Sequence, residues 1–164
     1  MDLQLSKSKL YNTTFQSSII SADLLSSWQR SENKTKGWNT QTAINAIKKY
    51  EKFLILIAKY PSTPHAPTRE IDEIWHLHML SPRAYLNDCN KLLGEILDHD
   101  GGFGKEPEEE IVLKETFNHT AALWEKEYGE VYASEKGANV TNCWHDCVGR
   151  CWHACKSNIN KVSH

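Results

Sequence analysis

The sequence predicts an all-α protein, a small bundle of four to five helices followed by a cysteine-rich C-terminal extension. Three observations carry this reading. Apolar residues recur at three- and four-residue intervals in several long stretches. No alternating strand pattern of useful length occurs. Pro, Gly and capping residues fall between the periodic stretches, where helix ends belong. The chain has 164 residues, 40% of them hydrophobic, with six Trp, six Tyr and four Phe, enough for one core of ordinary size.

The elements follow in order. Ser21 to Gln29 reads as a short helix with Leu24, Leu25 and Trp28 on one side, and Asn33 to Gly37 as a polar break. Thr40 opens the clearest helix, running to about Lys59, with Ala43, Ile47, Tyr50, Phe53, Leu54, Ile57 and Tyr60 at helical intervals. Pro61, Pro64 and Pro67 close it and form a stiff, extended connector. Thr68 is placed to cap a helix through Trp75 to about Met79. Ser81-Pro82 restarts the chain as N-cap and first helical residue, and that helix continues to about Leu93. Leu97 to Gly104 is a loop by its Gly and Asp content. Pro107 and the glutamates after it start a last helix, with Ile111, Phe117, Ala121, Trp124 and Tyr128 carrying it to about Gly129. The expected core is built around Phe53, Trp75, Leu86 and Trp124. Three segments result: an N-terminal helical lead-in (1–38), a helical domain (39–132), and a linker with a cysteine repeat (133–164).

Charge and cysteine usage narrow the function classes. The net charge is −2, and it is uneven. The stretch from Glu106 to Glu130 is strongly acidic, while Arg150, Lys156 and Lys161 outnumber Asp146 after Asn142. No basic patch runs through the body, which argues against nucleic-acid binding. The start, Met1-Asp2-Leu3-Gln4, lacks the basic and apolar regions of a signal peptide. The longest apolar run, Phe53 to Ala58, is too short to span a bilayer, so no membrane role is expected. A cytoplasmic location follows as the expectation. There thiols stay reduced, and five cysteines read as ligands or reactive groups before they read as disulfides.

The tail carries the densest chemistry. Cys143-Trp144-His145-Asp146-Cys147 is followed by Cys151-Trp152-His153-Ala154-Cys155, two copies of Cys-Trp-His-x-Cys. In one straight helix Cys143 and Cys155 would lie about 18 Å apart along the axis. A zinc ion needs its sulfurs at about 2.3 Å, so that helix builds two dithiol pairs, completed by a partner chain or other residues. Cu(I), which accepts fewer thiolates, suits such pairs, and dimerisation through the tail is a natural way to complete them. If the chain instead turns at Gly149, the four sulfurs, or two sulfurs with His145 and His153, can enclose one zinc. Disulfide or redox chemistry and reduced, unligated thiols are the competing readings. Haem attachment is disfavoured, because Cys-x-x-Cys-His does not occur.

The body holds a second candidate site around Asp72, His76, His78, Asp88, Cys89 and His99. Asp72 and His76 are four apart and share a helix face. His76 and His78 are two apart and point in different directions, so they do not chelate one ion together. A site therefore needs one of them with distant groups such as Asp88, Cys89 or His99. The bland alternative is that Asp72 holds the His76 ring while Trp75 and His78 pack the core.

Pro67-Thr68, Ile71-Asp72, Trp75-His76-x-His78, Ser81-Pro82, Tyr85, Asp88-Cys89, Leu97-Asp98-His99-Asp100, Trp124 and Tyr128-Gly129-Glu130, in this order and spacing, resemble the glycine-rich domain-containing protein-like family. The resemblance covers roughly Thr40 to Tyr132. It implies a helical domain of unassigned molecular function, found in plants, fungi and bacteria. Plant relatives are linked to stress and developmental signalling and carry further domains and a long glycine-rich region. Bacterial relatives often end in a glycine- and cysteine-rich tail, which makes this chain resemble the bacterial type, with Trp and His here where glycines are expected.

The leading functional expectation is a binding module whose thiol and imidazole tail takes up zinc or Cu(I), or senses redox state. An enzyme comes second, with Cys89 and a histidine as nucleophile and base, or with the histidines holding a catalytic metal. An ionised Asp88 beside Cys89 would raise that thiol's pKa, against a nucleophilic role. The third class is a metal-independent interaction domain that contacts an unidentified protein partner through the acidic helix and the tail tryptophans.

Overall fold

The computed structural model describes residues 18–32, 35–99 and 106–133. Among them are five helices: α1 (Leu24–Arg30), α2 (Thr40–Lys59), α3 (Arg69–Met79), α4 (Pro82–Leu93) and α5 (Pro107–Tyr128). No β-strand forms among the described residues. The all-α expectation holds. The cysteine repeat from Cys143 to Cys155, with His145 and His153, lies outside the described residues.

The helix ends follow from local chemistry. Asp23 caps α1 by accepting from the Ser26 backbone N–H at 2.9 Å, and Asn39 caps α2 by accepting from that of Thr42 at 2.9 Å. Thr68 caps α3 in the same way through Ile71, at 3.4 Å. Pro82 and Pro107 occupy the first turns of α4 and α5, where a missing N–H costs nothing. Gly94 and Gly129 end those helices with φ of +80° and +64°, a left-handed conformation that favours glycine. Ser81 departs from expectation. It sits at the N-cap position of α4, but its side chain makes no capping bond, because its backbone (φ −110°, ψ 70°) lies off the extended N-cap conformation.

The central helix is α2, which packs against each of the other four. Its Ala43, Tyr50, Phe53 and Leu56 are fully buried, together with Ile71, Ile74 and Trp75 of α3 and Trp124 of α5. One expected core position, Leu86, is corrected, and one apolar position of the last helix, Ile111, faces outward. Leu86 is 45% exposed, because Tyr85, Asp88 and Cys89 mark the inward line of α4 and Leu86 lies one residue off it. Ile111 is 64% exposed, because the buried line of α5 runs through Leu113, Thr116, Thr120 and Trp124.

That line is half polar, and hydrogen bonds make it tolerable. The Thr116 and Thr120 hydroxyls donate to the Val112 and Thr116 carbonyls, each at 2.8 Å. Thr120 Oγ1 also accepts from the Ala66 N–H at 3.0 Å, and the Tyr132 hydroxyl donates to the Ala66 carbonyl at 2.7 Å. Both backbone groups of Ala66 are thereby satisfied, and the proline connector is stitched to α5 and the segment after it. Among the described residues no helix is long and apolar enough to cross a membrane.

Candidate metal centre on helix α3

Helix α3 presents two histidines beside two buried carboxylates, and the two sites differ. His76 faces Asp72, one turn back on the same helix, with Nε2 at 3.7 Å from Oδ2. His99, from the segment after α4, reaches the same place. Its Nε2 lies 2.8 Å from Asp72 Oδ1 and 3.1 Å from His76 Nε2. One donor atom from each of these residues falls within 4.8 Å of the others, the spacing of ligands round a metal ion. The side chains of Asp72 and His99 are buried, and that of His76 is 32% exposed, so the cluster has a closed floor and an open edge.

Ring packing sets the His99 orientation. Its centroid lies 4.5 Å from that of Trp75, near T-shaped, and 4.7 Å from that of His76. Trp75 is anchored in turn, its indole N–H donating to the Tyr85 hydroxyl at 2.8 Å. Burial pushes the His76 pKa below the ordinary histidine value; the Asp72 charge opposes this and His99 adds to it. The net lowering suits a ligand, which must be neutral to present a lone pair.

Hydrogen bonding among the described residues leaves one oxygen of this cluster without a partner. His99 Nε2 lies within bonding distance of both Asp72 Oδ1 and His76 Nε2, and one N–H serves one of them well. Asp72 Oδ2 is buried with no hydrogen-bond partner among the described residues, a costly arrangement for a carboxylate oxygen. A cation held between the three residues would give that oxygen a partner. At metal–nitrogen bonds of about 2.1 Å, two ligand atoms stand about 3.0 Å apart at right angles and about 3.4 Å apart at tetrahedral angles. The His76–His99 separation of 3.1 Å falls between those values, while the two contacts to Asp72, 2.8 Å from His99 to Oδ1 and 3.7 Å from His76 to Oδ2, lie on either side of them and run to different oxygens.

The second histidine is saturated. His78 is fully buried; its Nδ1 lies 3.0 Å from the Tyr50 hydroxyl and its Nε2 3.2 Å from Asp88 Oδ2. The same oxygen accepts from the Ser21 N–H at 2.6 Å and from its hydroxyl at 3.0 Å. Burial pushes the His78 pKa down against the pull of Asp88. A neutral ring, accepting from Tyr50 and donating to Asp88, fits every distance. This chain ties α2, α3, α4 and the segment before α1 together.

Cys89 joins neither cluster. It is buried, and burial raises its thiol pKa against the opposing influence of Leu97 and Tyr85. A buried thiol of raised pKa is a poor nucleophile. Of the six candidates in the body, the structure thus assembles Asp72, His76 and His99, separates His78 with Asp88, and leaves Cys89 in the core.

Tyr50 and Ser21, which complete the His78 network, carry no sequence signal. Tyr50 reads as one more apolar-face residue, and Ser21 is 67 positions from Asp88. His65 is also missed. It is buried in the proline connector, its Nε2 2.9 Å from the Tyr60 carbonyl and its ring edge-on to Phe53.

A helical domain with one closed and one open histidine–carboxylate cluster is the class that fold and site define. The model of the family described as glycine-rich domain-containing protein-like matches residues 2–88, and this chain belongs to that family. The match begins well before Thr40 and ends at Asp88, so it includes Asp72 and His76 while Cys89 and His99 lie beyond it. The chain is 35% identical over 96 residues to glycine-rich domain-containing protein 1 of Arabidopsis thaliana, covering 53% of this chain and 11% of that protein. It is 34% identical over 101 residues to glycine-rich domain-containing protein 2 of the same plant, covering 59% of this chain and 13% of the relative. The chain therefore matches only a small share of these relatives' length. No solved structure matches it.

Proposed function

We propose that this protein is a metal-binding helical module whose body holds one divalent ion through Asp72, His76 and His99. The observation that carries the reading is the Oδ2 of Asp72, buried with no hydrogen-bond partner among the described residues, in a carboxylate that faces two imidazoles at ligand spacing. Two nitrogens and a carboxylate suit borderline ions such as zinc, and they disfavour Cu(I), which prefers sulfur.

The tail repeat supports a second, thiol-type site in the same chain. Cys143, Cys147, Cys151 and Cys155, with His145 and His153, offer soft donors to zinc or Cu(I), or a redox-responsive dithiol in a reducing, cytoplasmic setting. The module then carries two sites of different hardness. Dimerisation through the tail and docking to a protein partner are ways of completing the second one. An enzymatic role for Cys89 has the least support, given its burial.

Elemental analysis of full-length protein purified without chelator tests both sites. One equivalent of metal lost in Asp72→Asn and in His99→Ala is expected for the body site. A further loss on changing the four tail cysteines to serine is expected for the tail. Metal content near zero in the parent, or content indifferent to Asp72 and His99, overturns the body site.

A further inference from the structure

An ion held by the three donors of the α3 cluster would be touched by them from one side. Asp72 and His76 lie one turn apart on one helix, and His99 approaches beside them. Each pair, His76–His99 at 3.1 Å, His99–Asp72 Oδ1 at 2.8 Å and His76–Asp72 Oδ2 at 3.7 Å, is shorter than the about 4.2 Å that separates ligands on opposite sides of a metal with bonds of about 2.1 Å. All three pairs are therefore adjacent, and the set occupies one triangular face of the coordination sphere. Among the described residues no fourth His, Cys, Asp or Glu joins it.

The covered and uncovered sides are also distinguishable. Trp75, itself fully buried, backs His99, and Asp72 forms the floor with its side chain only 2% exposed. His76 stands at the edge with 32% of its side chain exposed. A structural metal site closes its sphere with protein ligands, whereas a site built for chemistry or ligand capture keeps a position open. Two neutral imidazoles and one carboxylate leave a divalent ion with a net charge of +1, which favours an anionic donor in the open position.

Resting on the proposed body site, we infer that the ion bound by Asp72, His76 and His99 keeps an open face on the His76 side and takes a small anionic ligand directly. The ligand class is one presenting a carboxylate or a comparable anionic donor atom. The centre is then a capture site rather than a clip that merely fastens the His99 segment to α3.

Cobalt(II) with azide as the probe anion tests this in the full-length chain. The Cys143→Ser, Cys147→Ser, Cys151→Ser, Cys155→Ser background keeps thiolate absorption out of the spectrum. One bound Co(II) is expected, with visible bands that shift in a saturable way as azide is added. Loss of those bands in Asp72→Asn and His99→Ala, with unchanged far-UV circular dichroism, assigns them to the cluster. Triad-dependent Co(II) bands that stay fixed up to high azide overturn the open face while leaving the metal site standing. A parent protein that binds no Co(II), or binds it indifferently to Asp72 and His99, overturns the metal site itself and the inference with it.

Discussion

His76 and His78 share a helix and each stands beside a buried carboxylate, but the two carboxylates are treated differently. Asp88 Oδ2 takes three hydrogen bonds, from His78 and from the N–H and hydroxyl of Ser21. Asp72 has one oxygen bonded to His99 and the other buried with no hydrogen-bond partner among the described residues. Residue types alone make the two pairs look alike. Completing the hydrogen-bond account separates them: the closed network fastens the fold, and the open cluster has capacity left for a cation.

The largest expected effect breaks the closed network. Asp88→Ala strands a fully buried histidine and the Ser21 donors, and is expected to lower unfolding free energy by about 2–4 kcal/mol. Urea denaturation measures this, and Co(II) affinity should be unchanged in the folded fraction. A variant equally stable to urea would remove the distinction between the clusters.

Asp72→Asn is expected to do the converse. Metal affinity should fall about 100-fold, equivalent to about 2.7 kcal/mol, because a ligand and its charge are lost. Metal-free stability should change by less than about 1 kcal/mol, since the missing oxygen had no hydrogen-bond partner to strand. Competition with a chromophoric chelator reads the first quantity, and urea in the presence of excess chelator the second.

A smaller effect is expected from Thr120→Val, which removes the hydroxyl that accepts from the buried Ala66 N–H. About 1–2 kcal/mol of stability should be lost, with metal binding untouched. If metal affinity falls as well, the connector and the cluster are coupled.

The mildest effect is a pH dependence at a third histidine, His65, also of the buried kind. Burial, with His119 adding, holds its folded pKa below the ordinary histidine value of 6.5, against the Tyr60 carbonyl bond. The unfolded chain therefore takes up a proton before the folded one does. The neutral ring's contribution is intact above pH 6.5 and is lost as pH falls below it. The urea midpoint should drop between about pH 7 and about pH 5.5, and His65→Gln should shallow that drop. An unchanged slope in the variant assigns the dependence to other groups.

How much of this was legible in the sequence differs by element. Thr40–Lys59 and Pro82–Leu93 match the expected spans because periodicity, caps and prolines act over neighbouring residues. The pairing of Asp72 with His76 was legible for the same reason, being one helical turn. The buried line of α5 was misread, because Thr116 and Thr120 look like surface residues until their hydroxyls are seen bonding to the preceding turn.

The sequence by itself determined the helices, their ends, the opposed directions of His76 and His78, and the thiol repeat of the tail, since all of these are set by local spacing along one chain. Only the tertiary structure decided which distant group each histidine meets. His99 comes to Asp72 across 27 positions, and Ser21 to Asp88 across 67. Such encounters depend on how α2, α3 and α4 pack, and packing is a property of summed shapes that no local pattern encodes. The packing gives Asp88 Oδ2 three hydrogen bonds and, among the described residues, leaves Asp72 Oδ2 with none, and on that difference the metal-site proposal rests.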